Sequence, residues 1–327
     1  MRGQPSLVLP QPIQRIGRAG TRHVAIVAVY LLVLALFGAT ALVSPSFLQA
    51  QHILTSIVLA SFLGILAISQ TVVILLGGID LSTPWTITAA AIIVGELGAT
   101  HGLVVAIGAA LLVCALIGAI NGLGVTVLGV SPIIMTLAMN GVEQGAVSTW
   151  TGGSGFISAP AELVAAIGGS LVGIPRMVLI WLVLTLLTVG MLFLTTYGRR
   201  LYAAGANPRV AYLSGVNVRM TLVVAYMLSA IVAGVDGILL TGYLSQSYLG
   251  MGDSYLFPSI AAVVLGGVSI YGGQGGYLGP VGGALALTLL DFLLAALGLH
   301  TNAQQVVFGV VLLAAIAIPR LRGGSQE

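Results

Sequence analysis

Long uncharged runs of apolar residues recur along the chain, separated by short stretches that carry glycine, proline or arginine. A bilayer core about 30 Å thick takes about 20 apolar residues per helix. On that measure the sequence predicts ten spans, over 23–43, 52–76, 84–99, 102–128, 132–150, 177–196, 220–242, 256–270, 279–298 and 303–318. The 256–270 run is short for a full crossing, which leaves a re-entrant or a broken helix open there. The alternating ten-residue patterns of a membrane barrel are absent. The expected fold is therefore all-α, a polytopic transmembrane helical bundle.

Basic residues orient it. Arg2, Arg15, Arg18 and Arg22 precede the first span, Arg199, Arg200, Arg209 and Arg219 share one central loop, and Arg320 and Arg322 follow the last span. Arg176 alone lies elsewhere. Cytoplasmic enrichment in Arg and Lys places all three clusters inside, which requires an even number of spans on each side of the central loop. Six and four satisfy this. The predicted organisation is a cytoplasmic basic segment over 1–22, a transmembrane domain over 23–319 with its cytoplasmic loop at 197–219, and a cytoplasmic tail over 320–327. The first apolar segment is too long for a typical signal-peptide core and has no small-x-small site close behind it, so an uncleaved anchor is expected.

Composition adds exclusions. Hydrophobic residues make up 58% and charged residues 6%, far from the roughly one quarter charged in a soluble domain. A net charge of +3 built from arginines beside the membrane is a by-product of topology, and no nucleic-acid partner is expected. Membrane lipid is the expected surrounding. The 45 glycines suit helices whose backbones approach closely. The chain has no lysine, so it lacks the ammonium of a phosphate-cradling G-x-x-x-x-G-K-[ST] loop. His23, His52, His101 and His300 are scattered near span ends without a ligand-spaced companion, and neither a metal nor a cofactor is expected. Cys114 has no disulfide partner, and no hydrolytic constellation is present.

In the central loop, Asn207 is a suitable cap and Pro208 a suitable first position for a helix of about two turns reaching Ser214, with Gly215 placed to stop it. Such a helix either lies on the headgroups or docks a partner. The pattern of Gly205, Asn207, Ala211, Ser214 and Gly215 resembles the coupling loop of permease subunits in the ribose/simple-sugar and branched-chain amino-acid class of ABC importers. That resemblance implies insertion of the loop into a cytoplasmic ABC ATPase.

Other stretches extend the likeness. LGGIDLS, from Leu76 to Ser82, is similar to a hallmark of the sugar branch of that family. Gly77 and Gly78 end the preceding helix, and Thr83-Pro84 is a suitable N-cap and first position for the next. A charge at membrane depth costs about 2.5–3.5 kcal/mol on the insertion scale, so Asp80 should face protein or water. It either braces the helix break together with Ser82 or lines the path. The run from Asn121 to Gly145 resembles the family's Asn-Gly turn followed by P-x-I-x-T-L, and the run from Ser259 to Leu287, with Gly266 and Gly267, resembles its C-terminal stretch. The likeness covers Leu66 to Leu313. Thr83-Pro84-Trp85 replaces the usual small pair, and Asp236 stands where a small apolar residue is normal; Trp85 is either a packing aromatic or a sugar-stacking surface. VILLGGID (73–80) and AVVLGGVS (262–269) echo one another, too briefly to define a symmetry axis.

The resemblance implies a permease of the bacterial inner membrane. It would pair with a second permease copy, by default an identical one, receive a monosaccharide from an extracytoplasmic sugar-binding protein, and move it with ATP hydrolysed by separate subunits. Gly77-Gly78 and Gly266-Gly267 would be flexing points, and the outer segment from Trp150 to Arg176, with a short helix near Pro160 to Ile167, would meet the binding protein. The rival is a self-sufficient transporter or channel driven by an ion gradient, with Glu96, Glu143, Asp236 and Asp291 as its candidate relay.

Overall fold

The computed structural model describes residues 16–153 and 156–299, together with 303, 304, 306–311 and 313. The tail at 320–327, Arg2, Arg15 and much of the tenth expected span lie outside the described residues. The helices are α1 (Ile16–Val43), α2 (Ala50–Ile74), α3 (Thr83–His101), α4 (Leu103–Thr126), α5 (Pro132–Trp150), α6 (Ala161–Ile167), α7 (Arg176–Leu194), α8 (Thr196–Ala206), α9 (Pro208–Leu213), α10 (Val218–Leu244), α11 (Leu256–Leu265) and α12 (Leu278–Ala296). Strand β1 (Phe156–Ser158) pairs antiparallel with β4 (Gln246–Tyr248), and β2 (Ser170–Leu171) with β3 (Ile174–Pro175). These short ribbons join loops and leave the fold helical.

Among the described residues six helices, α1, α2, α4, α7, α10 and α12, are long and apolar enough to cross a membrane, against ten expected spans of which the tenth lies largely outside those residues. The shortfall has particular causes. Helices α3 and α5 have 19 residues each but carry polar side chains, among them Thr83, Thr86 and Thr88 in one and Asn140, Glu143 and Gln144 in the other. Helix α11 stops after ten residues at Gly266, so it rises only about 15 Å, half the hydrocarbon thickness.

Helix α2 is the centre of the bundle, with α7, α10, α11 and α12 around it. It is apolar over most of its surface, and its residues from Ala60 to Ile74 are all buried, Ser69, Gln70 and Thr71 among them. Helix α1 packs on α12 and leaves most of its surface outward, as lipid contact permits. Without a hydrophobic drive between helices in lipid, association depends on close packing. At the α4–α10 crossing a Cβ on Gly118 would come within 2.6 Å of Met227 Cα, and one on Gly122 within 2.6 Å of Val223 Cα. Only glycine lets these two backbones approach so far.

Outside the spans, α6 begins after Pro160 as expected and covers the end of α10, with Leu163 and Ile167 against Gly242. Arg176, the arginine outside the three clusters, donates to the carbonyls of Ala165 (2.6 Å) and Ala166 (3.2 Å) at the end of α6. A cation beside a helix C-terminus is the favourable arrangement.

Candidate functional site

Helix α2 ends where Gly77 takes the left-handed conformation (φ +78°), its N–H on Ile74 O at 2.9 Å and that of Gly78 on Val73 O at 3.1 Å. The chain then turns back, and α3 starts at Thr83. Ser82, rather than Thr83, holds the cap position, and Pro84 is the second helical residue rather than the first. The Ser82 hydroxyl makes no cap bond: it donates to Asp80, and its oxygen accepts from Asn121.

Asp80 is 1% exposed. Its Oδ1 accepts from the Ser82 hydroxyl (2.6 Å) and the Ser82 N–H (3.1 Å), and its Oδ2 from the Ser229 hydroxyl on α10 (2.7 Å). Since Ser229 donates there, the 2.8 Å contact between Ser69 and Ser229 takes its proton from Ser69. Asn121 on α4 donates to Ser82 Oγ (2.9 Å). Gln70 Nε2 donates to Asp80 O (2.8 Å) and Thr83 Oγ1 (2.9 Å), and Thr83 donates to Asp80 O (2.7 Å). Thr136 on α5 accepts from Leu81 N–H (3.0 Å). Four helices thus hold one loop through buried polar contacts, the arrangement that lets a carboxylate sit at membrane depth.

Gly266 and Gly267 end α11 in a similar way, with Gly267 at φ +82° and its N–H on Val264 O at 2.9 Å. In the ungapped echo, however, Gly77 aligns with Gly266, so the left-handed glycine falls one residue later in the second copy. The two breaks touch: Gly273 N–H, in the loop after α11, donates to Leu75 O at 2.8 Å.

The central loop contains two helices. Asn207 caps α9 as expected, its Oδ1 accepting from Arg209 N–H and Val210 N–H at 3.1 Å each, and Gly215 follows at φ +82°. Ala211 is buried, while Ser214 and Gly215 are exposed. Gly205 belongs to α8 and faces the bundle, where it meets Leu75 O and Gly273 N. The outward surface of α9 is made instead by Arg209, Val210, Tyr212 and Leu213.

The structure therefore gathers Asp80, Ser82 and Asn121 in one network, brings Gly77 and Gly205 to the same glycine, Gly272, at the α8 end of the bundle, and sets Gly266 against the start of α12 and Gly267 against Ala25 of α1. Trp85 is 5% exposed among Ala89, Ile92 and Val147, a packing position. Of the acids, Glu143 accepts from Thr86 (2.9 Å), Glu96 and Asp291 are exposed, and both oxygens of fully buried Asp236 have no hydrogen-bond partner among the described residues. No group of three metal-ligating side chains occurs among the described residues. Sequence reasoning missed Ser69, Gln70 and Ser229, and met Thr136 only as the threonine of P-x-I-x-T-L. The available signal for the first two was the Ser69-Gln70-Thr71 triplet, polar residues inside an apolar run.

The family described as branched-chain amino acid transport system / permease component matches residues 52–316. The chain belongs to this permease family. The permease is 34% identical over 291 residues to the ribose import permease protein RbsC of Escherichia coli K12, covering 87% of this chain and 90% of the relative. It is 33% identical over 286 residues to RbsC of Bacillus subtilis 168, covering 85% and 88%. It is 31% identical over 302 residues to the autoinducer 2 import system permease protein LsrD of Photorhabdus laumondii, covering 89% of each chain. No solved structure matches it. The permease is an integral membrane protein, and its long apolar helices accord with that.

Proposed function

We propose that this permease is the membrane-spanning subunit of a binding-protein-dependent importer that moves a monosaccharide inward with ATP hydrolysed by separate ABC subunits. The observation that carries the reading is α9: a capped six-residue helix between α8 and the long helix α10, with Tyr212 71% and Leu213 77% exposed beside Arg209. An aromatic, an aliphatic and an arginine on one short element have the chemistry of a protein interface. The names of the relatives, ribose and autoinducer 2 import permeases, support the substrate class. Ten crossings with both termini and α8–α9 in the cytoplasm remain our reading of topology, with the α11 half-helix and the chain that carries on from it to Gly273, beside Leu75, together making one of them. The outward face of α5 carries Gly141, Gln144 and Gly145 beside exposed Ile134, Leu137 and Val142, a mixed surface that we assign to contact with a second permease copy. In this reading the Asp80 network is a brace, and Asp80 does not touch the sugar.

The test is purification of the tagged permease from its native membranes in mild detergent. An ABC ATPase should co-purify, and Leu213→Arg should lose that ATPase while still inserting. A wild-type permease that purifies without an ATPase and transports sugar on an ion gradient in liposomes would sink the proposal in favour of a self-sufficient transporter.

A further inference from the structure

Three backbone segments cross at the end of the bundle nearest α8: the Leu75–Gly78 turn that closes α2, the Tyr271–Gly273 turn ahead of α12, and the last residues of α8. The Gly273 N–H on Leu75 O ties the first two at 2.8 Å. Gly205 lies over the same carbonyl, so that a Cβ there would overlap Leu75 O and stand 2.8 Å from Gly273 N. Gly272 is equally constrained, 2.9 Å being all that a Cβ would have to Gly205 O and to Gly77 N, and a Cβ on Gly273 would reach 2.6 Å from Ala206 Cα. The Tyr202 hydroxyl of α8 adds a bond to Gly275 O at 2.9 Å. Glycine inside a helix is about 1 kcal/mol worse than alanine, so Gly205 is disfavoured by α8 itself. The contact accounts for it. With no side chain between the three segments, nothing at the joint can yield by changing rotamer, and packed backbones transmit displacement rather than absorb it.

We infer that Gly205 is the positioning residue through which α8 moves both interrupted segments together. The Leu75–Gly78 turn leads directly to Asp80 and the start of α3; the Tyr271–Gly273 turn leads to the start of α12. Displacement of α8 is thereby delivered to both at once, without first bending α7 or α10. This rests on the proposal that α9 docks an ATPase, and it gives Gly205 a role separate from docking: α9 holds the ATPase, and Gly205 passes the movement on.

The experiment uses the complete assembly of permease, ATPase and binding protein in lipid nanodiscs and liposomes. Gly205→Ala should keep the ATPase bound and hydrolysing ATP within twofold of wild type, while sugar import falls at least tenfold. Proportional loss of hydrolysis and import, unchanged import, or loss of the bound ATPase from this variant would each overturn the inference, while leaving the importer reading intact provided that wild type still binds its ATPase. A second measurement needs no variant. On adding nucleotide to the wild-type assembly, hydrogen exchange should change at 196–213, 75–78 and 271–276 together; a change confined to 196–213 would also overturn it. An ATPase missing from the wild-type preparation would instead refute the proposed function.

Discussion

Replacing Asp80 by leucine takes a single acceptor away from three buried donors: the Ser82 hydroxyl, the Ser82 N–H and the Ser229 hydroxyl. A buried donor left unsatisfied costs about 1–3 kcal/mol, so the three together cost roughly 3–9 kcal/mol. That is comparable to the total stability of many folded proteins, about 5–15 kcal/mol. Asparagine is different. Its oxygen keeps both Ser82 bonds, and its amide donates to Ser229, whose hydroxyl then turns to Ser69, 2.8 Å away. The network runs in the opposite direction but stays closed, at a cost of about 1 kcal/mol. Thermal stability in detergent, read by the fraction that remains monodisperse after heating, should rank wild type just above Asp80→Asn and far above Asp80→Leu. Sugar uptake should follow the same order. Equal and complete loss of uptake in both variants, with stability preserved in the asparagine protein, would refute the brace and assign Asp80 a role that depends on its charge.

Two other outcomes are expected. Asp236, fully buried with both oxygens unpartnered among the described residues, opposes folding, so Asp236→Ala should raise the detergent melting temperature by an amount corresponding to about 1–3 kcal/mol; a fall would reveal a partner for the carboxyl. In a Cys114→Ser background, Val172→Cys should react with a membrane-impermeant maleimide from outside intact cells and Tyr212→Cys only once the membrane is opened, both positions being exposed (94% and 71%); labelling from the same side would overturn the proposed orientation.

Local signals read from the sequence held where the physics is local. Asn207, Pro208 and Gly215 mark α9 because capping, a missing N–H and left-handed backbone are properties of a few consecutive residues. Pro160 marks the start of α6 for a related reason, and the brevity of the 256–270 run showed in its length. Helix α8 falls within the expected central loop; its helical signal is the inward spacing of Gly198, Leu201 and Ala204, all buried. The Asp80 network was legible only in part. Asp80 and Ser82 are neighbours in sequence, but Ser229 and Asn121 reach them from other helices, and no local pattern encodes which helices meet. That Gly205 faces the bundle was not legible either, because the spacing of small residues does not say which way a helix is turned.

The β1–β4 ribbon, sealed by the Phe156–Tyr248 ring contact with centroids 5.9 Å apart, splices the loop after α5 to the loop between α10 and α11. Pressure on either loop is shared by the other. A protein that leaned on Phe156 would therefore also lean, through Tyr248, on the approach to the half-length helix α11, making this rim one plate rather than a set of independent flaps.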